Sequence, residues 1–395
     1  MINNKIAIGA IFKNEFNYIL EWFAWHQLAG FQFFYIADNE STDGTRALLE
    51  AISHFDDSIK VFYQPTAELF TQVRAYNTIL NSCDPDIESI LFIDGDEFLI
   101  HDSYQNGEEY RYLDAILKDS DVGIVCINWR TYGSSGLLHY DNRPVTERFT
   151  FHLSDKTPST NCYFKSVSKI RFIKSVQPHR ATLDPARKIV GADGQLLDSF
   201  THIIDNKFVI TNQPSGMSEK IVSSPLRVNH YVIKSEEEFH QKALRGGVMN
   251  STDVKNMSYF HFHNFSDEQT IIPERKMIDL NDQINKLSAQ VNLSLFSKKF
   301  RGSVDMSDKD IIRGWLTNEE GIGNGYKLSV FINGLFSSYM ICKYFRRDVL
   351  DAGLSVDGYC GFRYQHPRPL EKGDQVEIFI FGSKVKLNGN VKITI

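Results

Sequence analysis

Three carboxylates stand directly behind one of the most apolar runs of the sequence. The run at 90–93, Ile-Leu-Phe-Ile, is followed by Asp94, Asp96 and Glu97. A run of this kind, rich in β-branched and aromatic residues, predicts a buried strand. Because uncompensated carboxylates are costly to bury, a positive partner must lie close to them. That partner is a lysine, an arginine or a metal ion.

The pair Asp94 and Asp96 predicts a site for a divalent cation. On an extended backbone, side chains two residues apart point the same way, and Gly95 lets a ligand approach the main chain. Hard oxygen ligands suit Mg²⁺ or Mn²⁺, which also bind substrate phosphates. Such a site would hold a diphosphate and stabilise its charge as it leaves. A solvated turn, or a pairing with a nearby arginine, is the alternative interpretation.

Composition narrows the class of protein. The chain has 395 residues, enough for two or three domains, and its 42% hydrophobic and 23% charged residues are ordinary for a globular protein. The formal net charge of -6 offers no basic field of the kind that nucleic-acid binding requires. We therefore expect no nucleic-acid partner.

The cysteines and the N-terminal residues indicate a cytoplasmic protein. The five cysteines lie far apart with no C-x-x-C pair, which favours reduced thiols over a disulfide framework or a zinc site. The first apolar stretch is too short for a signal peptide, and no run approaches the length of a membrane span. The sequence leaves open an attachment to the inner face of the cytoplasmic membrane.

The first hundred residues alternate between strand and helix patterns. The pattern predicts strands at 5–12, 31–38, 59–65 and 90–93, and helices at 15–28, 41–53 and 70–80, with Asn14 capping the first helix. This order predicts a mostly parallel sheet covered by helices. Ligands of such sheets bind beyond the carboxyl ends of the strands, near a topological switch point. Asp38 and Asp94 both stand at that edge.

The pattern changes twice in the rest of the chain. Residues 111–230 are mixed, with strand candidates at 122–129 and 208–211. Ser235 and Glu238 then form a capping box for a helix that Gly246 ends, and a polar helical stretch follows at 273–295. After about residue 300, period-two alternation with Asn-Gly pairs at 333–334 and 388–389 predicts an antiparallel β-sandwich.

Several segments, taken in order, resemble the family 2 and family 92 glycosyltransferases of the GT-A fold. They are AIFKNEFNYILEWFAWHQLAGFQFFYIADNESTDGT (10–45), RAYN (74–77), IDGDEFL (93–99), NWRTYGSSG (128–136), ERF (147–149), NHYVIKS (229–235) and KALRG (242–246). The tail resembles a β-sandwich module appended to various bacterial glycosyltransferases. The resemblance implies a GT-A catalytic domain over 1–270, a helical connector over 271–299 and a β-sandwich accessory domain over 300–395.

The same resemblance implies roles for individual residues. Asp38 would contact the uridine moiety, although its segment at 35–45 would by itself be read as turn and helix-cap chemistry. Asp94 and Asp96 would hold Mn²⁺ or Mg²⁺ against the sugar-nucleotide diphosphate, and His230 would complete the metal shell unless it is a core histidine. The other residues expected to bind the donor are Lys13, Arg74, Asn77, Lys234 and Arg245; Lys234 and Arg245 are equally explained as surface charges.

An inverting transferase needs a carboxylate that deprotonates the acceptor hydroxyl. Glu147 is the candidate that the resemblance favours, and a salt bridge with Arg148 or a surface neighbour is the alternative explanation. The other candidates for this base are Asp155, Asp184 and Asp193. Trp129 and Tyr132 could stack on a sugar ring or simply belong to the core.

These inferences predict a metal-dependent, inverting hexosyltransferase that uses a nucleoside-diphosphate sugar. By resemblance the donor is UDP-linked, with UDP-galactose or UDP-glucose first, and the acceptor is a bacterial surface glycan or glycolipid of capsule, lipopolysaccharide or exopolysaccharide. One alternative is a non-catalytic glycan-binding protein on the same scaffold. Another is a metal-dependent phosphohydrolase, which Phe98 disfavours because those enzymes usually want Thr or Val there. The sequence leaves dimerisation open.

Overall fold

The computed structural model describes residues 5–66, 70–155, 160–183, 187–205, 207–245, 255–297, 300–307, 311–365, 369–371, 373–380, 386–387 and 391–392. Its strands are β1 Ile6–Phe12, β2 Phe33–Asp38, β3 Ile59–Tyr63, β4 Ser89–Phe92, β5 Glu97–His101, β6 Val122–Thr131, β7 Phe151–His152, β8 Phe164–Lys169, β9 Ile173–Val176, β10 Ala181–Leu183, β11 Lys188–Gly191, β12 Phe200–Ile204, β13 Lys207–Thr211, β14 Leu226–His230, β15 Glu268–Gln269, β16 Phe300–Ser307, β17 Ile311–Asn318, β18 Lys327–Ile332, β19 Leu335–Ile341, β20 Gly361–Gln365, β21 Gln375–Ile380 and β22 Val391–Lys392. Its α-helices are α1 Ile19–Leu28, α2 Thr45–Ser53, α3 Thr71–Ser82, α4 Glu108–Leu117, α5 Val145–Arg148, α6 Glu236–Arg245, α7 Met257–His263, α8 Glu274–Ser297 and α9 Arg347–Asp351.

The first compact unit contains the residues up to Phe12, Asn17–Asn39 and Ser58–Ile284. Its main sheet has the strand order β3-β2-β1-β4-β8-β6-β14-β5, with β11 paired to β6. The first four strands in this order are parallel, whereas β8 runs antiparallel to both of its neighbours. Strand β14 is parallel to β6 and antiparallel to β5. The predicted mixed α/β fold class of GT-A type is confirmed.

Burial explains why the sequence forms this sheet. Every residue of β1 is buried, as expected for a central parallel strand with both faces covered. Helix α1 is anchored by two tryptophans, because Trp22 Nε1 donates to the carbonyl oxygen of Asp94 over 3.0 Å and Trp25 Nε1 donates to that of Leu99 over 2.7 Å. This helix thereby supports the segment that joins β4 to β5.

The helix boundaries confirm one predicted cap and correct another. Ser235 and Glu238 form the predicted capping box of α6, with the Glu238 amide donating to Ser235 Oγ over 3.3 Å and the Ser235 amide to Glu238 Oε2 over 3.2 Å. Helix α1, in contrast, begins at Ile19 rather than near residue 15. Asn14 has a φ of 54°, outside the extended backbone of an N-cap, so the chain turns before the helix. Gly246 lies outside the described residues.

The second compact unit contains Lys13–Phe16, Glu40–Asp57 and Asn285–Ile395. It holds two antiparallel sheets, β16-β17-β20 and β19-β18-β21-β22, which contribute to one hydrophobic cluster. Ala47 of α2 packs against this cluster, and Lys327 Nζ lies 4.2 Å from the ring centre of Phe16. The predicted Asn-Gly turn at 333–334 joins β18 to β19 with φ of 53° and 77°. The second predicted Asn-Gly pair lies outside the described residues.

Three further expectations concern the chain as a whole. Helix α8 covers most of the predicted connector, and the predicted domain boundaries stay a prediction. No disulfide joins the five cysteines, all of which lie within the described ranges. Among the described residues, no helix combines the length and the apolar composition that crossing a bilayer requires.

Candidate active site

The segment that joins β4 to β5 is a turn rather than the extended backbone expected for Asp94 and Asp96. The amide of Glu97 donates to the Asp94 carbonyl oxygen over 3.1 Å, and the Asp94 amide donates to Glu97 Oε2 over 2.8 Å. Because a turn changes the direction of successive side chains, the two aspartates contact different parts of the first unit. Each of them also meets a different lysine.

Asp94 has three hydrogen-bond donors. Its Oδ1 accepts from Gln72 Nε2 over 2.9 Å and from Tyr76 Oη over 3.2 Å. Gln72 and Tyr76 are four residues apart on α3 and so share one face of that helix. Its Oδ2 accepts from Lys165 Nζ of β8 over 2.8 Å. Asp94 is therefore held from both sides by the protein itself.

Lys165 lies between Asp94 and Glu97. Its side chain is 1% exposed, and its Nζ is 3.4 Å from Glu97 Oε2. Burial acts to lower the pKa of Lys165, but Asp94 and Glu97 outweigh it and raise that pKa. Burial raises the pKa of Glu97 to about 8, with Lys165 opposing and the two aspartates adding to the rise. Lys165 is therefore one of the positive partners that we expected beside the three carboxylates.

Asp96 is paired differently. Its Oδ2 accepts from Lys242 Nζ of α6 over 2.5 Å, whereas its Oδ1 lies 3.6 Å from His230 Nε2. Burial acts to raise the pKa of Asp96, but the charge of Lys242 above all holds that pKa well below its usual range. Asp96 is therefore an ionised carboxylate with one oxygen turned toward an imidazole.

His230 differs from a core histidine of the same unit. Burial lowers the pKa of both His230 and His26, so both imidazoles are neutral. The His26 ring is satisfied on both sides, with Nδ1 2.8 Å from the Trp22 carbonyl oxygen and Nε2 accepting from the Leu99 amide over 3.4 Å. His230 Nδ1 has no hydrogen-bond partner among the described residues. The core-histidine explanation therefore fits His26 and does not fit His230.

A divalent cation fits this arrangement with two protein ligands. Asp96 Oδ1 and His230 Nε2 face each other and combine a carboxylate oxygen with an imidazole nitrogen, donors that divalent metals accept. No group of three His, Cys, Asp or Glu side chains in the described ranges could hold a metal. Water and a diphosphate would complete the shell, as is usual for Mg²⁺. The expectation that Asp94 is a further ligand stays untested, and because its two oxygens already accept hydrogen bonds we propose a supporting role for it below.

The residues predicted to bind the donor differ in burial and in their position in the fold. Asp38 ends β2 and is 1% exposed. Arg74 and Asn77 lie on the exposed face of α3, and Asn77 Nδ2 donates to the Val73 carbonyl oxygen over 2.8 Å. The face of α3 that reaches Asp94 carries Gln72 instead, which the sequence analysis missed.

The basic residues of the prediction lie in three places. Lys13 follows β1 and belongs to the second compact unit. Lys234 is buried with its Nζ 4.2 Å from the ring centre of Tyr18. Arg245 ends α6, and its side chain is outside the described set. The lysines that contact the aspartates, Lys165 and Lys242, were not predicted.

Glu147 lies on the short helix α5, and its side chain is 37% exposed. Its Oε1 is 3.4 Å from Arg143 rather than paired with Arg148. Arg148 instead makes two hydrogen bonds, of 2.8 and 2.9 Å, to Glu238 of α6. Because α6 also carries Lys242, the helix of Glu147 is tied to a helix that contacts Asp96.

The other candidate bases are engaged with cations or lie outside the description. Asp155 pairs with Arg130 at 2.5 Å, and Asp193 pairs with Lys220 at 2.9 Å. Asp184 lies outside the described residues. Tyr132 is buried, so its ring is not accessible for stacking on a sugar. Trp129 is half-buried, and its ring centre lies 4.2 Å from that of His230.

Solved structures with similarity to the chain include several nucleotide-sugar enzymes. TarS from S. aureus, in complex with UDP, is 16% identical over 42% of this chain and 47% of that chain, with a TM-score of 0.26. The mannosyltransferase PcManGT from Pyrobaculum calidifontis, in complex with GDP-Man and Mn²⁺, is 18% identical over 31% of this chain and 35% of that chain, with a TM-score of 0.25. Glucosyl-3-phosphoglycerate synthase from Mycobacterium tuberculosis, in complex with Mn²⁺, UDP and phosphoglyceric acid, is 13% identical over 42% of this chain and 56% of that chain, with a TM-score of 0.26. The matches thus span less than two thirds of each of these proteins, and TM-scores this low carry no argument about function.

Sequence comparison is more decisive. No curated protein matches the chain. Residues 8–311, however, match glycosyltransferase family 92, and this range includes the turn between β4 and β5, His230 and α6. A match over most of the chain establishes that the protein belongs to glycosyltransferase family 92 and is a glycosyltransferase.

Proposed function

We propose that this glycosyltransferase is metal-dependent and inverting, and that it transfers a sugar from a UDP-linked donor to a bacterial surface glycan or glycolipid. Capsule, lipopolysaccharide and exopolysaccharide are the acceptor classes that we propose, with UDP-galactose and UDP-glucose as the first donors to test. The observation that supports a metal is the pair of Asp96 Oδ1 and His230 Nε2, 3.6 Å apart. This separation is longer than a hydrogen bond, and both atoms belong to types that bind divalent metals.

In this proposal some residues bind the metal ion and others position those metal ligands. Asp96 and His230 hold Mn²⁺ or Mg²⁺, which when bound neutralises the diphosphate that leaves. Asp94, with its donors Gln72, Tyr76 and Lys165, fixes the turn that presents Asp96. Lys234 and Arg245 are proposed to bind the phosphates of the donor, together with Lys13, Arg74 and Asn77. Asp38 is proposed to bind the uridine.

Glu147 is proposed as the base that takes the proton of the acceptor hydroxyl. Its carboxylate is the most exposed of the described candidates, with 37% of the side chain accessible against 24% for Asp155 and 25% for Asp193. Its partner Arg143 is 3.4 Å away, so the pair is loose and exposed. An accessible carboxylate on a helix tied to α6 can meet a hydroxyl that arrives from solvent.

The proposal is tested by UDP release from a panel of UDP-sugars, with and without Mn²⁺ and after treatment with EDTA. We expect release that requires the metal and that increases when an acceptor glycan is added. Phosphate release from a simple monoester would instead support the phosphohydrolase alternative, which family membership already disfavours. Absence of turnover with every donor, despite glycan binding, would support the non-catalytic alternative.

A separate variant tests the base. Glu147→Gln should lower turnover by about 100-fold or more while donor affinity and thermal stability change little. Glu50→Gln is a matched control, because Glu50 also pairs with an arginine four residues away, Arg46 at 2.9 Å, on the accessible side of α2. Equal activity of Glu147→Gln and Glu50→Gln would exclude Glu147 as the base.

The remaining expectations accompany the proposal. We propose a cytoplasmic protein that works beside the inner face of the membrane, where lipid-linked acceptors are presented. Dimerisation and membrane attachment stay predictions, and sedimentation with liposomes together with light scattering would test both.

A further inference from the structure

Asp96 carries a counter-ion of its own. Lys242 Nζ donates to Asp96 Oδ2 over 2.5 Å and to the Val232 carbonyl oxygen over 2.7 Å. The Lys242 and Asp96 side chains are 13% and 9% exposed, so solvent and salt screen their charges little. The ammonium group therefore occupies the same carboxylate whose other oxygen faces His230.

This arrangement disfavours a divalent cation that arrives alone. A carboxylate already neutralised by an ammonium group offers an incoming cation no net negative charge. Two cations on one carboxylate also repel each other strongly where screening is weak. A nucleotide diphosphate reverses the balance, because its phosphate oxygens attract both a divalent cation and an ammonium group.

We propose that Lys242 couples binding of the cation to binding of the nucleotide diphosphate, so that each binds weakly alone and tightly with the other. This inference rests on the proposed function and adds to it a reason for joint loading of the site. Coupling between two ligands is reciprocal, so UDP tightens Mn²⁺ binding by the same factor by which Mn²⁺ tightens UDP binding.

Lys242 is better suited to this role than Lys165. Lys165 is 1% exposed and lies within reach of two carboxylates, Asp94 at 2.8 Å and Glu97 at 3.4 Å. Moving Lys165 would leave both acids without their cation. Lys242 has one carboxylate and one neutral carbonyl as partners, so it can turn toward a phosphate at a smaller cost.

The test measures Mn²⁺ affinity of the full chain directly, from the electron paramagnetic resonance signal of free Mn²⁺, with and without UDP. In the wild type we expect UDP to tighten Mn²⁺ binding by about tenfold or more. In Lys242→Met we expect Mn²⁺ alone to bind about tenfold or more tighter than in the wild type, with the effect of UDP largely lost. Lys242→Gln, which keeps a hydrogen-bond donor, should behave in the same way, and Lys242→Arg should keep the coupling.

The control is Lys118→Met, which removes the lysine of a Lys–Asp pair with Asp114 at 3.1 Å on α4 and should leave the coupling unchanged. Folded Lys242→Met and Lys242→Gln proteins with wild-type coupling would overturn the inference and leave the proposed function standing. Tight Mn²⁺ binding by the wild type without UDP would do the same. A wild type that binds no Mn²⁺ in either condition and releases no UDP from donors would refute the proposed function itself.

Discussion

Two buried clusters of charge in the first unit are satisfied to different degrees. In the cluster of Arg148 and Glu238, both side chains are at most 4% exposed, two hydrogen bonds join them, and Tyr18 and Ser235 also donate to the carboxylate. In the cluster around the turn between β4 and β5, Oε1 of Glu97 in β5 and Nδ1 of His230 in β14 have no hydrogen-bond partner among the described residues. Buried polar atoms are normally paired. The first cluster therefore serves to join helices, whereas the second keeps two buried polar atoms without a partner among the described residues, which agrees with the ligand site that we propose.

The largest expected effect separates the two aspartates of the turn. Asp96→Asn should lower UDP release by about 100-fold or more, because Asp96 holds the cation. Asp94→Asn should lower it by only about tenfold, because Asp94 supports the turn through its three donors. Kinetics of UDP release from a UDP-sugar in excess Mn²⁺ measure both. A larger loss in Asp94→Asn would reverse the roles that we assign.

The satisfied cluster should show the largest effect on stability. Arg148→Met should lower the free energy of unfolding by about 3–5 kcal/mol, because it leaves the Glu238 carboxylate buried without its cation. Urea denaturation followed by circular dichroism measures the change. The double variant Arg148→Met/Glu238→Gln should recover much of the loss, and no recovery would show that packing rather than charge dominates.

Removal of Lys165 should be milder than removal of Arg148. Lys165→Met should lower the free energy of unfolding by about 2 kcal/mol, because Glu97, whose pKa is about 8, is already largely neutral at pH 7 and only Asp94 loses its cation. The same urea experiment at pH 7 compares the two variants. A loss as large as that of Arg148→Met would mean that Glu97 stays ionised without Lys165.

The effect that is smallest near neutral pH concerns the satisfied histidine. Burial lowers the pKa of His26 from 6.5 to about 3, so below pH 6.5 the unfolded chain binds a proton that the folded chain does not. Stability should therefore fall as pH decreases, with a His26 contribution of up to about 1.4 kcal/mol per pH unit within that window. His26→Gln should be less stable at pH 7 but should show a flatter decrease between pH 6 and pH 4. Equal slopes in urea titrations would contradict this assignment.

The sequence predicted the parts of this molecule that depend on local pattern. The alternation of strands and helices in the first hundred residues is confirmed by β1 to β4, and the capping box at Ser235 needs only residues three apart. The Asn14 cap was wrong because its backbone is left-handed, which asparagine tolerates, and its side chain accepts from the distant Thr42 amide instead.

The partners of the two aspartates could not be predicted in the same way. Lys165 is 71 positions from Asp94, and Lys242 is 146 positions from Asp96. Helix and strand periodicity relates only residues that are close in sequence. The sequence therefore predicted a positive partner for the aspartates but could not identify it. Gln72 and Tyr76 carried a weak signal, because Tyr76 belongs to the RAYN segment and Gln72 precedes that tyrosine by four residues, which places both on one face of a helix.

The composition of the second compact unit has a consequence for how the protein is made. Lys13–Phe16 and α2 leave the ribosome well before the strands of the same unit, such as β18, which lie more than 250 residues later in the chain than α2 begins. The contacts of Ala47 with the hydrophobic cluster and of Phe16 with Lys327 must therefore wait until those later strands have been translated. During synthesis these early segments lack their final partners, which makes the nascent chain a candidate client for chaperones.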